Sequence, residues 1–114
     1  MDRTALLNAF PTPLVFARMS RNAQKRYIED LIQDVLNELK SEQRQPDDWE
    51  RSAISYALDC LRDGVFSAAL YEAAVALTPE FERSTEFSIS PANYALTLDD
   101  LERKLTATRD LPLV

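Results

Sequence analysis

Ile28, Ile32, Val35 and Leu39 follow one another at steps of four, three and four, flanked by Tyr27, Leu31 and Leu36. That spacing puts a wide apolar face on one helix, ending near Ser41, before the polar turn "SEQRQPDD" and its breaker Pro46. Asp47 with Glu50 three residues later is a capping box, opening a second helix through Leu61. Its polar positions (Arg51, Ser52, Ser55, Asp59, Arg62, Asp63) cover only about a third of the circumference at 100° per residue. Gly64 suits the left-handed position just beyond that helix. The stretch "FSAALYEAAVALTP" follows directly, so residues 47–78 form an antiparallel helix hairpin. Between Val65 and Leu77 only Ser67 and Glu72 are polar, so the hairpin's second arm lacks a wet side and requires cover all round.

The flanks are shorter. "MDRTALLNAF" reads as a short helix after Asp2, halted by "PTP". Thr12-Pro13 is a further start, with the hydroxyl as cap and proline at the first helical position. Two readings then compete: one helix from 13 to 41, or a break at a second cap, Ser20, where Arg21, Lys25 and Arg26 crowd the positive end of the new dipole. Thr78-Pro79 repeats the proline signal before "EFER". Phe87 and Ile89 alternate with polar residues, as a short extended piece would, and Ser90-Pro91 can begin another turn. Thr97 and Asp100 form a second capping box, after which Leu98, Leu101 and Leu105 line a closing helix to about Arg109.

The expected fold is all-α, a compact bundle of four to six helices around the 47–78 hairpin. The 114 residues make a single domain, long enough to bury a core. Residues 1–19 are an N-terminal arm, 20–79 the helical core, 80–109 C-terminal helical segments and 110–114 a frayed tail. A single glycine agrees with helices, because β-turns and phosphate-cradling loops consume glycine. Short apolar pieces near the start, split by "PTP", do not make a secretory signal, and nothing approaches the ~20 apolar residues of a membrane span. One cysteine suits a reducing compartment, so a cytoplasmic protein is expected.

The residues from Trp49 to Pro79, about a quarter of the chain, resemble one tetratricopeptide repeat. Ala57, Gly64, Phe66, Ala69 and Ala76 fall at that family's small and aromatic packing positions. Ala53 stands where the family prefers tryptophan, Pro79 comes two residues early, and there is no second copy. Generic hairpin packing is the preferred reading, since such arrays need about three repeats for stability.

Chemistry is sparse. With no histidine, the commonest general base, the Ser-His and Cys-His nucleophile systems, and the commonest zinc ligand are gone. Cys60 has no CxxC partner and reads as a core filler. No carboxylate pair is recommended by its spacing. No catalytic residue, metal, cofactor or small-molecule ligand is assigned, and no enzyme activity is expected.

Charge is uneven. The first 26 residues carry five basic groups against Asp2, a net +4; the other 88 carry eight basic against eighteen acidic groups, a net −10. The basic cluster beside Leu14, Val15, Phe16 and Met19 is expected to meet the acidic remainder of this fold or of a second subunit; nucleic acid and membrane are disfavoured. Asp30, Asp34, Glu38 and Glu42 recur at every fourth position, an acidic docking edge or simply a solvated face.

Two functions are weighed. The first is a non-enzymatic helical interaction module (adaptor, chaperone-like or regulatory), homodimeric through Ile28, Ile32, Val35 and Leu39 and through Leu98, Leu101 and Leu105. The second is a small acidic inhibitor, of antitoxin, immunity or anti-nuclease type, that blocks a basic site. Both imply a protein partner.

Overall fold

The computed structural model describes residues 3–83 and 95–111. Each helix begins where the local chemistry places it. α1 spans Arg3–Asn8 and α2 spans Pro13–Arg18, the latter capped by Thr12, whose Oγ1 accepts from the Val15 N–H. The break at Ser20 is real: its Oγ accepts from the Ala23 N–H, and α3 runs Arg21–Ser41. The crowding of cations there is relieved in two ways. Lys25 pairs with Glu29 one turn on, at 2.8 Å, and Arg21 reaches across to the Gly64 carbonyl at 3.0 Å. That carbonyl lies just past the end of α4 (Asp48–Arg62), where the helix dipole favours a cation.

α4 opens on its capping box, with Asp47 accepting from the Glu50 N–H and Glu50 accepting from the Asp47 N–H. Gly64, at φ 78°, closes it: the Val65 N–H donates to the Cys60 carbonyl and the Gly64 N–H to Leu61. α3 ends by the same pair of bonds with Gln43 in the left-handed position, at φ 52°. α5 is Phe66–Leu77. The proline signal at 78–79 yields only a 3-10 turn, Glu80–Glu82, with Pro79 before it rather than inside it. α6, Leu98–Asp110, starts at the Thr97–Asp100 capping box. Hydrogen bonds from Thr97 and Arg103 hold the Asp100 carboxyl below its usual pKa. The expected extended piece at 87–89, the turn at 90–91 and the last three tail residues lie outside the described residues.

Six α-helices and no strand make up the described residues, an all-α bundle built on the α4–α5 hairpin. α4 packs along α5 more extensively than any other pair, while α3 and α6 each touch two helices of the four. Going round the core the order is α3, α5, α4, α6, so α3 faces α4 across the centre and α5 faces α6. Ala69, Ala73 and Ala76 are buried on α5, and their small side chains allow the close hairpin. Ile28, Leu36, Leu39, Ile54, Leu58, Leu77, Leu101 and Leu105 are fully buried, and each such side chain contributes about 1.5–3 kcal/mol of transfer energy.

This arrangement buries the residues expected at the dimer face. Ile28, Ile32, Val35, Leu39, Leu98, Leu101 and Leu105 are all inside the core of a single chain. The α3 stripe and the α6 stripe face the same interior, so a second copy could reach them only by opening the bundle. Ser52 and Ser55, placed by periodicity on the polar side of α4, are buried too. Lys104 on α6 donates to Ser55 Oγ at 2.7 Å and pairs with Asp59, spanning α6 to α4, whereas Ser52 Oγ has no hydrogen-bond partner among the described residues.

The opening end of α4 carries a dense polar network. Arg44 donates to both oxygens of the fully buried Glu50 carboxylate, at 2.8 and 3.2 Å. Those bonds raise the guanidinium's pKa still further. Arg83 pairs with Asp47 at 3.0 Å and lies over the Trp49 ring, whose indole N–H donates to the Val75 carbonyl near the end of α5. Gln45 accepts from the Leu98 N–H at the start of α6. One knot therefore ties α4, α5, α6 and the 3-10 turn.

Candidate functional site

α5 is covered by α4 and α3 on its flanks and by the core within. Its outer side is left to the N-terminal arm, and α1 and α2 both touch it. Phe16 is the anchor, fully turned inward from α2, and Phe10 stacks edge-on against Tyr27 with centroids 6.3 Å apart. The cover is incomplete. Between α2 and α5 runs a groove of about 610 Å³. Its α2 side is Phe10, Pro11, Pro13, Phe16 and Ala17; its α5 side is Val65, Phe66, Leu70, Tyr71 and Ala74. On its α5 side the groove exposes apolar side chains that a helix normally hides, Val65 at 49% and Tyr71 at 68%, while Leu14 and Val15 are exposed on the other side of α2.

Arg21 sits in this groove. Its guanidinium stacks 4.3 Å from the centroid of the Phe66 ring while one N–H reaches the Gly64 carbonyl. Gln24, at the same end, donates to the Phe16 carbonyl at 2.7 Å and so fixes α2 against α3. Cation–π contact and hydrogen bond together hold Arg21 in place without an acidic partner. Arg18 at the end of α2, and Arg26 further along α3, also have no carboxylate within ion-pair distance among the described residues.

Elsewhere the basic groups are engaged. Lys40 pairs with Glu102, Arg44 with Glu42 and Glu50, Arg51 with Asp48, Arg62 with Asp59 and Asp63, Arg103 with Asp100, and Arg109 with Asp30. Among the described side chains, which begin at Ala5, the unpaired guanidinium groups are Arg18, Arg21 and Arg26.

The acidic edge looks different once folded. Asp30 receives Arg109 from α6 at 3.2 Å, and Glu42 receives Arg44 at 3.1 Å. One oxygen of Glu38 is buried, and Asp34 is half-buried. The four carboxylates therefore do not present one uniform exposed stripe.

Cys60 is half-buried on α4. Burial, with the nearby carboxylates Glu72, Asp59 and Asp63, pushes its thiol above the usual range and keeps it protonated. Glu72 on α5 is itself raised by burial, with one oxygen lacking a hydrogen-bond partner among the described residues. No group of three potential metal ligands forms among the described residues, and none of their helices is long and apolar enough to cross a membrane.

Sequence periodicity missed the groove because each of its walls is only half of a pattern. The usable signal was local: the basic cluster beside Leu14, Val15 and Phe16, and the bare outer side of "FSAALYEAAVALTP". No family model matches the chain, and no curated protein or solved structure matches it either.

Proposed function

We propose that this protein is a non-enzymatic helical interaction module whose docking site is the groove between α2 and α5. The segment it takes presents an apolar side chain flanked by carboxylates. One observation carries this reading: an apolar groove with the exposed Val65 and Tyr71 on its α5 side holds Arg21, a guanidinium that no carboxylate neutralises among the described residues. An apolar occupant removes the exposed wall side chains from water, and its carboxylates complete the pairs that Arg21, in the groove, and Arg18, at the end of α2, lack. Charge complementarity of this kind sets orientation and association rate more than affinity. The charge-blocking inhibitor has less support, because Asp30 and Glu42 are engaged by Arg109 and Arg44 within the chain.

Selection from a random peptide library displayed on phage tests the proposal. The expected binders carry an aromatic or aliphatic residue between acidic ones, compete with one another, and bind more weakly as salt rises. Arg21→Glu, and Leu70→Asp in the groove wall, each weaken them. Binders that keep full affinity in both variants would place the docking site elsewhere.

A further inference from the structure

The described part of the chain holds a segment with the chemistry the groove calls for. Phe81 is 86% exposed, the most exposed of the large hydrophobic side chains among the described residues, and its two neighbours in the 3-10 turn are Glu80 and Glu82, both exposed. Neither glutamate has an ion pair or side-chain hydrogen bond among the described residues. An aromatic knob between two carboxylates unpaired among the described residues thus stands on the same molecule as an aromatic-lined groove that holds the Arg21 guanidinium, with Arg18 at the end of α2.

We propose that the groove's occupant is the Glu80–Glu82 corner of a second copy of this chain, in a two-fold pair. This rests on the reading of the groove as a docking site and names its partner. Within one chain the two features cannot meet. The groove lies along α5 from Val65 to Ala74 with Arg21 at its start, and the corner follows the last turn, so about 18 Å of rigid helix, at 1.5 Å per residue over 12 residues, keeps Glu80 and Glu82 from Arg21. In a two-fold pair the α5 helices of the two copies run antiparallel. Each knob then arrives at the other copy's groove, giving two identical contacts from one operator. Tyr71, on the outer side of α5, falls on the seam between them. Phe81 enters against Phe16, Phe66 and Leu70, while Glu80 and Glu82 meet Arg18 and Arg21. The same pairing supplies what the apolar helix lacks, cover on its last side.

Sedimentation equilibrium on the full chain tests this. At roughly 100 micromolar and low salt, the expected mass is twice the 13.0 kDa of one chain. Phe81→Ala and Arg21→Glu each weaken the pair at least tenfold, a change of about 1.4 kcal/mol. Circular dichroism melting of the monomer checks that both variants remain folded. A charge exchange, Arg18→Glu and Arg21→Glu combined with Glu80→Arg and Glu82→Arg, restores pairing. A photo-cross-linker at position 81 attaches to residues 64–74 or 10–21 of the other copy.

A wild-type chain that stays at 13.0 kDa overturns the pairing, as do cross-links mapping elsewhere, failure of the charge exchange, or a mass that climbs without limit with concentration. The peptide selection separates the two readings. Arg21-dependent peptides on a monomeric chain leave the groove a docking site for a foreign segment. Their absence removes the groove as well.

Discussion

The opening end of α4 and the α2–α3 corner are both rich in arginine, and they use it in opposite ways. At the first, Arg44 and Arg83 are pinned to Glu50, Asp47 and Trp49, and each guanidinium closes a contact between elements. At the second, Arg18, Arg21 and Arg26 face solvent or an aromatic ring and touch no carboxylate among the described residues. Paired charge around a buried carboxylate acts on stability; unpaired charge beside an apolar groove is available to a partner. The same residue type therefore ties elements together at one end and is left without a carboxylate at the other, where the proposed docking would use it.

The largest expected effect tests the first half of that contrast. Arg44→Met leaves Glu50 buried without its bidentate partner, and breaking such a pair costs roughly 3 kcal/mol. For a domain of this size, that lowers the melting temperature by something on the order of 10–20 °C. Arg26→Met, by the same measurement, shifts stability by less than about 0.5 kcal/mol, as surface substitutions usually do. Equal losses in the two variants would erase the distinction between the two ends.

Neighbouring alanines on α5 sharpen it. Ala73 is sealed in the core, so Ala73→Leu overpacks it by about 1–3 kcal/mol. Ala74 lines the groove, so Ala74→Leu is nearly silent in chemical denaturation while filling the groove and weakening peptide or self-association. A large stability loss at Ala74 would mean that the groove is closed in solution.

A smaller effect belongs to backbone strain. Gln43 holds a left-handed conformation that a side chain disfavours by about 1–2 kcal/mol, so Gln43→Gly stabilises by up to about 1 kcal/mol once glycine's greater freedom in the unfolded chain is subtracted. No change in the denaturation midpoint would show that Gln43 is already at ease there.

The last effect is read as a pH dependence. Burial raises the Glu72 pKa above its unfolded value, so the folded state favours the protonated form. The stability this contributes is fully present below the ordinary glutamate range and is lost as pH rises through the raised value. Glu72→Gln is therefore expected to melt higher than the wild type at neutral pH and to lose that advantage in acid. Parallel melting curves across pH would contradict it.

Much of the fold was legible along the chain because its signals are local. The capping boxes at Asp47–Glu50 and Thr97–Asp100, the glycine beyond α4 and the 28–39 periodicity each depend on residues a few places apart, and helix geometry converts them directly into elements. Which side of an amphipathic helix stays inside the chain is not a local property. The Ile28–Leu39 and Leu98–Leu105 stripes read as partner faces in sequence; the tertiary structure turned them toward the same core by setting α3 and α6 side by side. Ser52 and Ser55 went inside, and at Ser55 it is Lys104 of α6 that covers what periodicity left wet. The groove is similarly non-local. Its walls come from helices about 50 residues apart, and it exists because six-residue α2 is too short to cover the outer side of α5. Composition and spacing determined that α5 would require cover on every side. Only packing, which weighs all helices against one another at once, decided which side would be left open.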